Sequence, residues 1–141
     1  MLSLTLAGVF ALIAALHFYW ATGGQWGLTA AIPDLPQADG TTRPAFVPGA
    51  LATAVVGLIF AGVALTLLMY SAWLPSILPA VWLRIVVGLL GVALLLRAIG
   101  DFKYVGFTKR VKGTLFAKMD TRFYSPLCLL LGAGVFWLLS G

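Results

Sequence analysis

Apolar runs separated by short polar connections dominate the chain, and four of them are long enough to cross a bilayer. At a rise of 1.5 Å per residue, roughly 20 apolar residues cover the hydrocarbon core. The first run covers about residues 2–21. Gly23-Gly24 follow it and can supply the left-handed residue that closes a helix, while Tyr19, Trp20 and Trp26 mark the headgroup depth. The second, about 49–70, opens behind Pro48, which is tolerated in a first turn because its missing N–H has no helical partner there anyway. The third covers about 80–100, behind Pro79. The fourth, about 121–139, admits two starts. Ser125-Pro126 has the form of a helix cap followed by a first-turn proline, but that start leaves only about 15 residues. A start near Asp120 gives a full crossing with Pro126 inside the helix as a kink, and this longer helix is the expectation. Small residues recur at intervals of four (Ala7, Ala11 and Ala15; Gly57 and Ala61), with Gly88 and Gly91 on the third run, and allow close packing between helices. The pattern predicts an all-α membrane protein: one domain, a four-transmembrane-helix bundle.

Composition agrees. Of 141 residues, 62% are hydrophobic and 9% charged, whereas soluble domains carry about a quarter charged. The first run has no preceding Lys or Arg and is longer than a signal-peptide core, so it reads as a retained helix. The single cysteine, Cys128, lies in an apolar run, which excludes an intrachain disulfide and points to inert packing.

Charge adds orientation. Arg97, Lys103, Lys109, Arg110, Lys112, Lys118 and Arg122 stand against only Asp101 and Asp120, and this stretch carries the whole net charge of +5. Cytoplasmic loops keep their Lys and Arg, so the connection between the third and fourth runs is expected to be cytoplasmic. The connection at 71–79 has no charge and can be translocated. Four crossings then place both termini outside and the proline-rich first loop inside. That loop carries Pro33, Pro36, Pro44 and Pro48, which exclude a regular helix, and its apolar residues suggest that it folds back over the bundle as a lid or plug. The basic loop mixes cations with aromatic residues, the composition of a short interfacial helix. Its nearest partners are membrane lipids with anionic headgroups, not nucleic acid.

The same topology gathers the histidine and the acids at the cytoplasmic rim. His17 is the one histidine, and ionisable residues inside a span usually face the bundle interior. Arg97 and Asp101 are four apart on one helical face, where opposite charges pair. Gly100 and Gly106 mark where that helix ends or turns. Arg84, near the other rim, is placed to reach outward along its alkyl stem. The carboxylates and His17 lack metal-ligand spacing, so no metal site is expected, and no cofactor is implied.

At these residues the chain resembles an uncharacterised family of small bacterial membrane proteins, a domain of unknown function. The resemblance rests on His17-x-Tyr19-Trp20 with Gly23-Gly24, Pro48-Gly49, Arg97-x-Ile-Gly-Asp101-Phe with Gly106-Phe107 and Lys109, and Asp120-Thr121 with Tyr124-Ser-Pro126. It implies a four-helix integral membrane protein, in the inner membrane of a bacterium, and supplies no activity. It also implies that His17, Asp101 and Asp120 belong to one constellation. The candidate polar site is therefore His17, Tyr19, Trp20, Arg97, Asp101, Lys109, Asp120 and Tyr124. The leading expectation is a module that binds a lipid or other amphiphile in an inward-facing polar pocket. Two alternatives stand beside it: a membrane-embedded enzyme using His17 with Asp101 or Asp120, and an accessory subunit of a larger membrane complex. A homo-oligomer is compatible with each. No broken-helix or inverted-repeat signal supplies a midplane transport site.

Overall fold

The computed structural model describes the whole chain, Met1–Gly141. Its elements, in order, are α1 (Leu2–Ala21), α2 (Leu28–Ala31), β1 (Asp34–Pro36), β2 (Thr42–Pro44), α3 (Ala50–Tyr70), α4 (Ala80–Ile99), α5 (Leu115–Met119), a π-helical turn (Asp120–Tyr124) and α6 (Ser125–Ser140). Four helices are long and apolar enough to cross a membrane: α1, α3, α4 and the continuous run Leu115–Ser140. The protein is an all-α integral membrane bundle.

The helices associate as two antiparallel hairpins. α1 packs along α3 and α4 along α6, while thinner α3–α4 and α1–α6 contacts join the pairs. Phe10, Leu67, Val87 and Val135, one from each helix, are fully buried at the centre. Close approach is needed at Gly91, where a Cβ would come within 3.0 Å of the Phe136 ring. Only 23 of 141 residues are buried. That small fraction suits a bundle whose outer face meets hydrocarbon, where exposed Leu12, Leu58, Leu89 and Leu130 cost nothing. The alanine series on α1 is only partly an interhelical seam. Ala7 is buried, but Ala11 and Ala15 are exposed and line an outward groove of about 580 Å³ with Ala61 and Ala64.

The fourth crossing departs from the sequence expectation. The helix starts at Leu115, where the Thr114 hydroxyl accepts the Ala117 N–H at 3.1 Å as an N-cap. It then widens into the π turn, in which the Ser125 N–H reaches the Asp120 carbonyl. Proline two residues into a helical segment has no N–H to give and crowds the carbonyl four residues back, and the wide turn just before Pro126 accommodates both. The segment expected as a separate interfacial helix is therefore irregular up to Gly113 and afterwards continuous with the last crossing.

The first loop forms α2 and a two-stranded hairpin pairing Asp34 with Pro44. Asp39 sits in its turn and accepts from the Thr41 hydroxyl and N–H. α2 packs on α5, so the first loop and the basic loop share one end of the bundle. At the other end Arg84 does not extend away from the protein. Its Nη2 donates to the Leu139 carbonyl at 3.2 Å, a cation at a helix C-terminus.

A carboxylate knot at the basic end of the bundle

Helix α4 stops at Gly100, which has φ +97°. Gly106, at φ +83°, returns against it so closely that a Cβ on either would strike the other's backbone neighbourhood. Only glycine fits this crossing. The Phe107 and Thr108 N–H groups then satisfy the Ala98 and Ile99 carbonyls at 2.9 and 3.2 Å, closing the end of the helix. Inside the loop one oxygen of Asp101 accepts the N–H groups of Lys103, Tyr104 and Val105 at 2.6–2.9 Å. Desolvation pushes the Asp101 carboxyl up, but those three donors outweigh it and hold the group below the usual carboxylate range. Asp101 is thus the organiser of its own loop.

The π turn aims Asp120 inward, and its side chain is fully enclosed. Its Oδ1 accepts Arg97 Nη2 at 2.7 Å. Its Oδ2 accepts the Gly106 N–H at 2.8 Å, Lys109 Nζ at 3.0 Å and the Ser125 hydroxyl at 3.2 Å. Four donors saturate a carboxylate. Lys109, only 5% exposed, is saturated as well, giving its remaining hydrogens to the Gly106 carbonyl at 2.8 Å and Thr121 Oγ1 at 2.7 Å. Thr121 in turn donates to the Ala117 carbonyl. In a low-dielectric setting such charge-assisted bonds are short and strong, and the knot ties the basic loop to both α4 and the last helix.

The candidate residues divide as follows. Arg97, Lys109 and Asp120 come together. Arg97 does not pair with Asp101 as the spacing of four predicts, because the turn at Gly100 takes Asp101 off the helical face. His17 bonds to neither carboxylate. Its Nδ1 donates to the Ile13 carbonyl one turn back at 2.8 Å, and its ring rests on Trp20 and Phe60, with centroids 5.1 and 5.2 Å away. Tyr19 and Trp20 hold the first loop: Trp20 Nε1 donates to the Trp26 carbonyl at 2.9 Å, and the Tyr19 ring covers Gly24. The Tyr124 hydroxyl donates to the Ala30 carbonyl at 3.2 Å and so fastens the same loop to the π turn. No three His, Cys, Asp or Glu side chains converge. A cleft of about 290 Å³ does open at this end, between Trp20, Gly23, Gln25, Val47, Pro48 and Thr53, and contains none of the charged candidates.

Gly106, Thr121 and Ser125 escaped the sequence reading as functional groups. Lys109 and Asp120 lie eleven residues apart across an irregular loop, a separation with no periodic signature. The motif Asp120-Thr121 with Tyr124-Ser-Pro126 was the available clue, since every one of its residues contributes to the knot, the loop clasp or the π turn. No curated protein and no solved structure matches the chain. The family described as protein of unknown function (DUF3995) matches residues 10–135, and the chain belongs to that family.

Proposed function

We propose that this small integral membrane protein holds anionic amphiphiles, membrane lipids first among them, by their headgroups at its basic rim, and that this rim faces the cytoplasm. The observation that carries the reading is how the charge is divided. The knot engages Arg97 and Lys109 internally, while Lys103, Arg110, Lys112, Lys118 and Arg122 remain exposed around it. Phe102, Phe107 and Phe123, at 60%, 49% and 58% exposure, lie among these cations. Rings that enter the headgroup boundary beside cations that meet phosphate are the chemistry of an interfacial surface. Asp101 and the knot keep the loop that bears these groups in one shape, so less order is lost when a headgroup docks.

The test compares the wild type with a variant carrying Gln at those five positions, both extracted with their surrounding bilayer into polymer-bounded discs. Wild-type discs are expected to be enriched in anionic over zwitterionic phospholipid by mass spectrometry. The variant is expected to lose that enrichment, at about 1 kcal/mol per removed charge at low salt. Equal enrichment in both would overturn the reading.

A further inference from the structure

The knot is satisfied at every member but one. Asp120 receives four donors and Lys109 finds three acceptors, whereas Arg97 donates a single hydrogen bond. Its Nη1 is buried with no partner. Its Nε also makes no bond within the protein, and the side chain as a whole keeps 34% of its surface. A guanidinium has five N–H donors, and unsatisfied donors at the edge of a membrane are costly. The charges tell the same story. One carboxylate faces two cations, so the cluster keeps one uncompensated positive charge, and Asp101, the nearest other acid in sequence, is occupied by its loop amides. A buried or half-buried charge is retained when something pairs with it.

We propose that Arg97 is one half of a discrete oxyanion site, completed by a single phosphate group at the inner rim of α4, with the phosphodiester of an anionic lipid as its source. The proposal deepens the headgroup reading above and rests on it: the exposed cations gather anionic headgroups loosely, and Arg97 holds one of them in place. Asp120 Oδ1 fixes the guanidinium through Nη2, leaving the Nε and Nη1 hydrogens without a protein partner for the incoming oxygens. Lysine does not substitute, because an ammonium paired with Asp120 keeps the charge but loses the second donor edge. The site is expected to resist salt, because its partner is half enclosed, while the exposed cations are screened.

Native mass spectrometry of the detergent-solubilised protein, loaded with phosphatidylglycerol and washed at high salt, tests this. Wild type is expected to keep one phosphatidylglycerol per chain, and Arg97→Lys to keep about tenfold less, the loss of a bond to a charged group. The five-position Gln variant is expected to keep that one lipid. No salt-resistant phosphatidylglycerol on wild type overturns the proposal whether or not the variant folds, and so does equal retention by Arg97→Lys. Should the Gln variant lose bulk enrichment while Arg97→Lys matches wild type, the Arg97 site alone falls. Should neither substitution change anything, the headgroup reading falls with it. A second arm separates the sources of phosphate. Inorganic phosphate, titrated into discs of phosphatidylcholine, is expected to leave thermal stability unchanged. A saturable, Arg97-dependent rise without retained lipid would overturn the lipid as the source.

Discussion

Replacing Asp120 with Asn keeps the volume of the side chain and removes the charge that Arg97, Lys109, Gly106 and Ser125 all address. The amide has one oxygen left to accept, and its NH₂ is forced toward groups that also donate. Removing one partner of a buried ion pair typically costs about 3–5 kcal/mol, against about 0–1 kcal/mol for an exposed one. Lys109, 5% exposed, belongs to the first class. Arg97, with 34% of its side chain open, leans toward the second and can turn outward. The expected loss for Asp120→Asn is therefore about 3 kcal/mol, most of it from stranding Lys109 and the Gly106 N–H. The assay is reversible unfolding in mixed micelles with increasing dodecyl sulfate, followed by far-ultraviolet circular dichroism. A triple variant, Arg97→Met with Lys109→Met and Asp120→Leu, separates stranded charge from lost shape, because an ion cluster replaced whole by apolar side chains is often neutral. It should recover most of the loss. An Asp120→Asn cost below about 1 kcal/mol would show the carboxylate to be hydrated and would refute the dry knot. A triple variant no better than the single one would refute stranded charge as the cause.

Two other expectations concern the residues beside the knot. Asp101 has its carboxyl held low in the folded loop, so its contribution is present above the ordinary carboxylate value and is lost as pH falls through the folded one. Protection of the amides of residues 103–105, taken relative to their intrinsic exchange, should fall below about pH 4, and Asp101→Asn should show the same low protection at neutral pH; unchanged protection in the variant would contradict the loop assignment. His17→Phe should cost less than about 1.5 kcal/mol by the same micelle titration, since the ring packs on Trp20 and Phe60 and its bond goes to its own helix. A larger loss, or loss of the salt-resistant lipid, would restore His17 to the charged site.

The crossings were legible because hydrocarbon imposes a length and an apolar composition that few substitutions disguise. The ends were less so. Ser125-Pro126 carries a genuine start signal, yet the helix begins ten residues earlier at Leu115, because the π turn absorbs the proline that would otherwise end it. The gathering of acids at one end was also readable, from loop charge. Their pairing was not. Arg97 and Asp101 obey the helical spacing for an ion pair, but that rule presumes that the helix continues, and the positive φ of Gly100 breaks the premise by one residue. Asp120 takes the place of Asp101 from 23 residues away, a contact set by how two helices and a folded loop meet. His17 illustrates the converse. Its rarity in an apolar run invites a bond to the carboxylates, and its Nδ1 bonds a carbonyl on its own helix instead.

The position of Asp120 in the chain gives the knot a timetable. Arg97 and Lys109 precede it by 23 and 11 residues. Their only carboxylate partner arrives with the first turns of the final helix. The same two side chains are therefore without an internal partner until the last helix is made, and become the fastening of the bundle only when it docks.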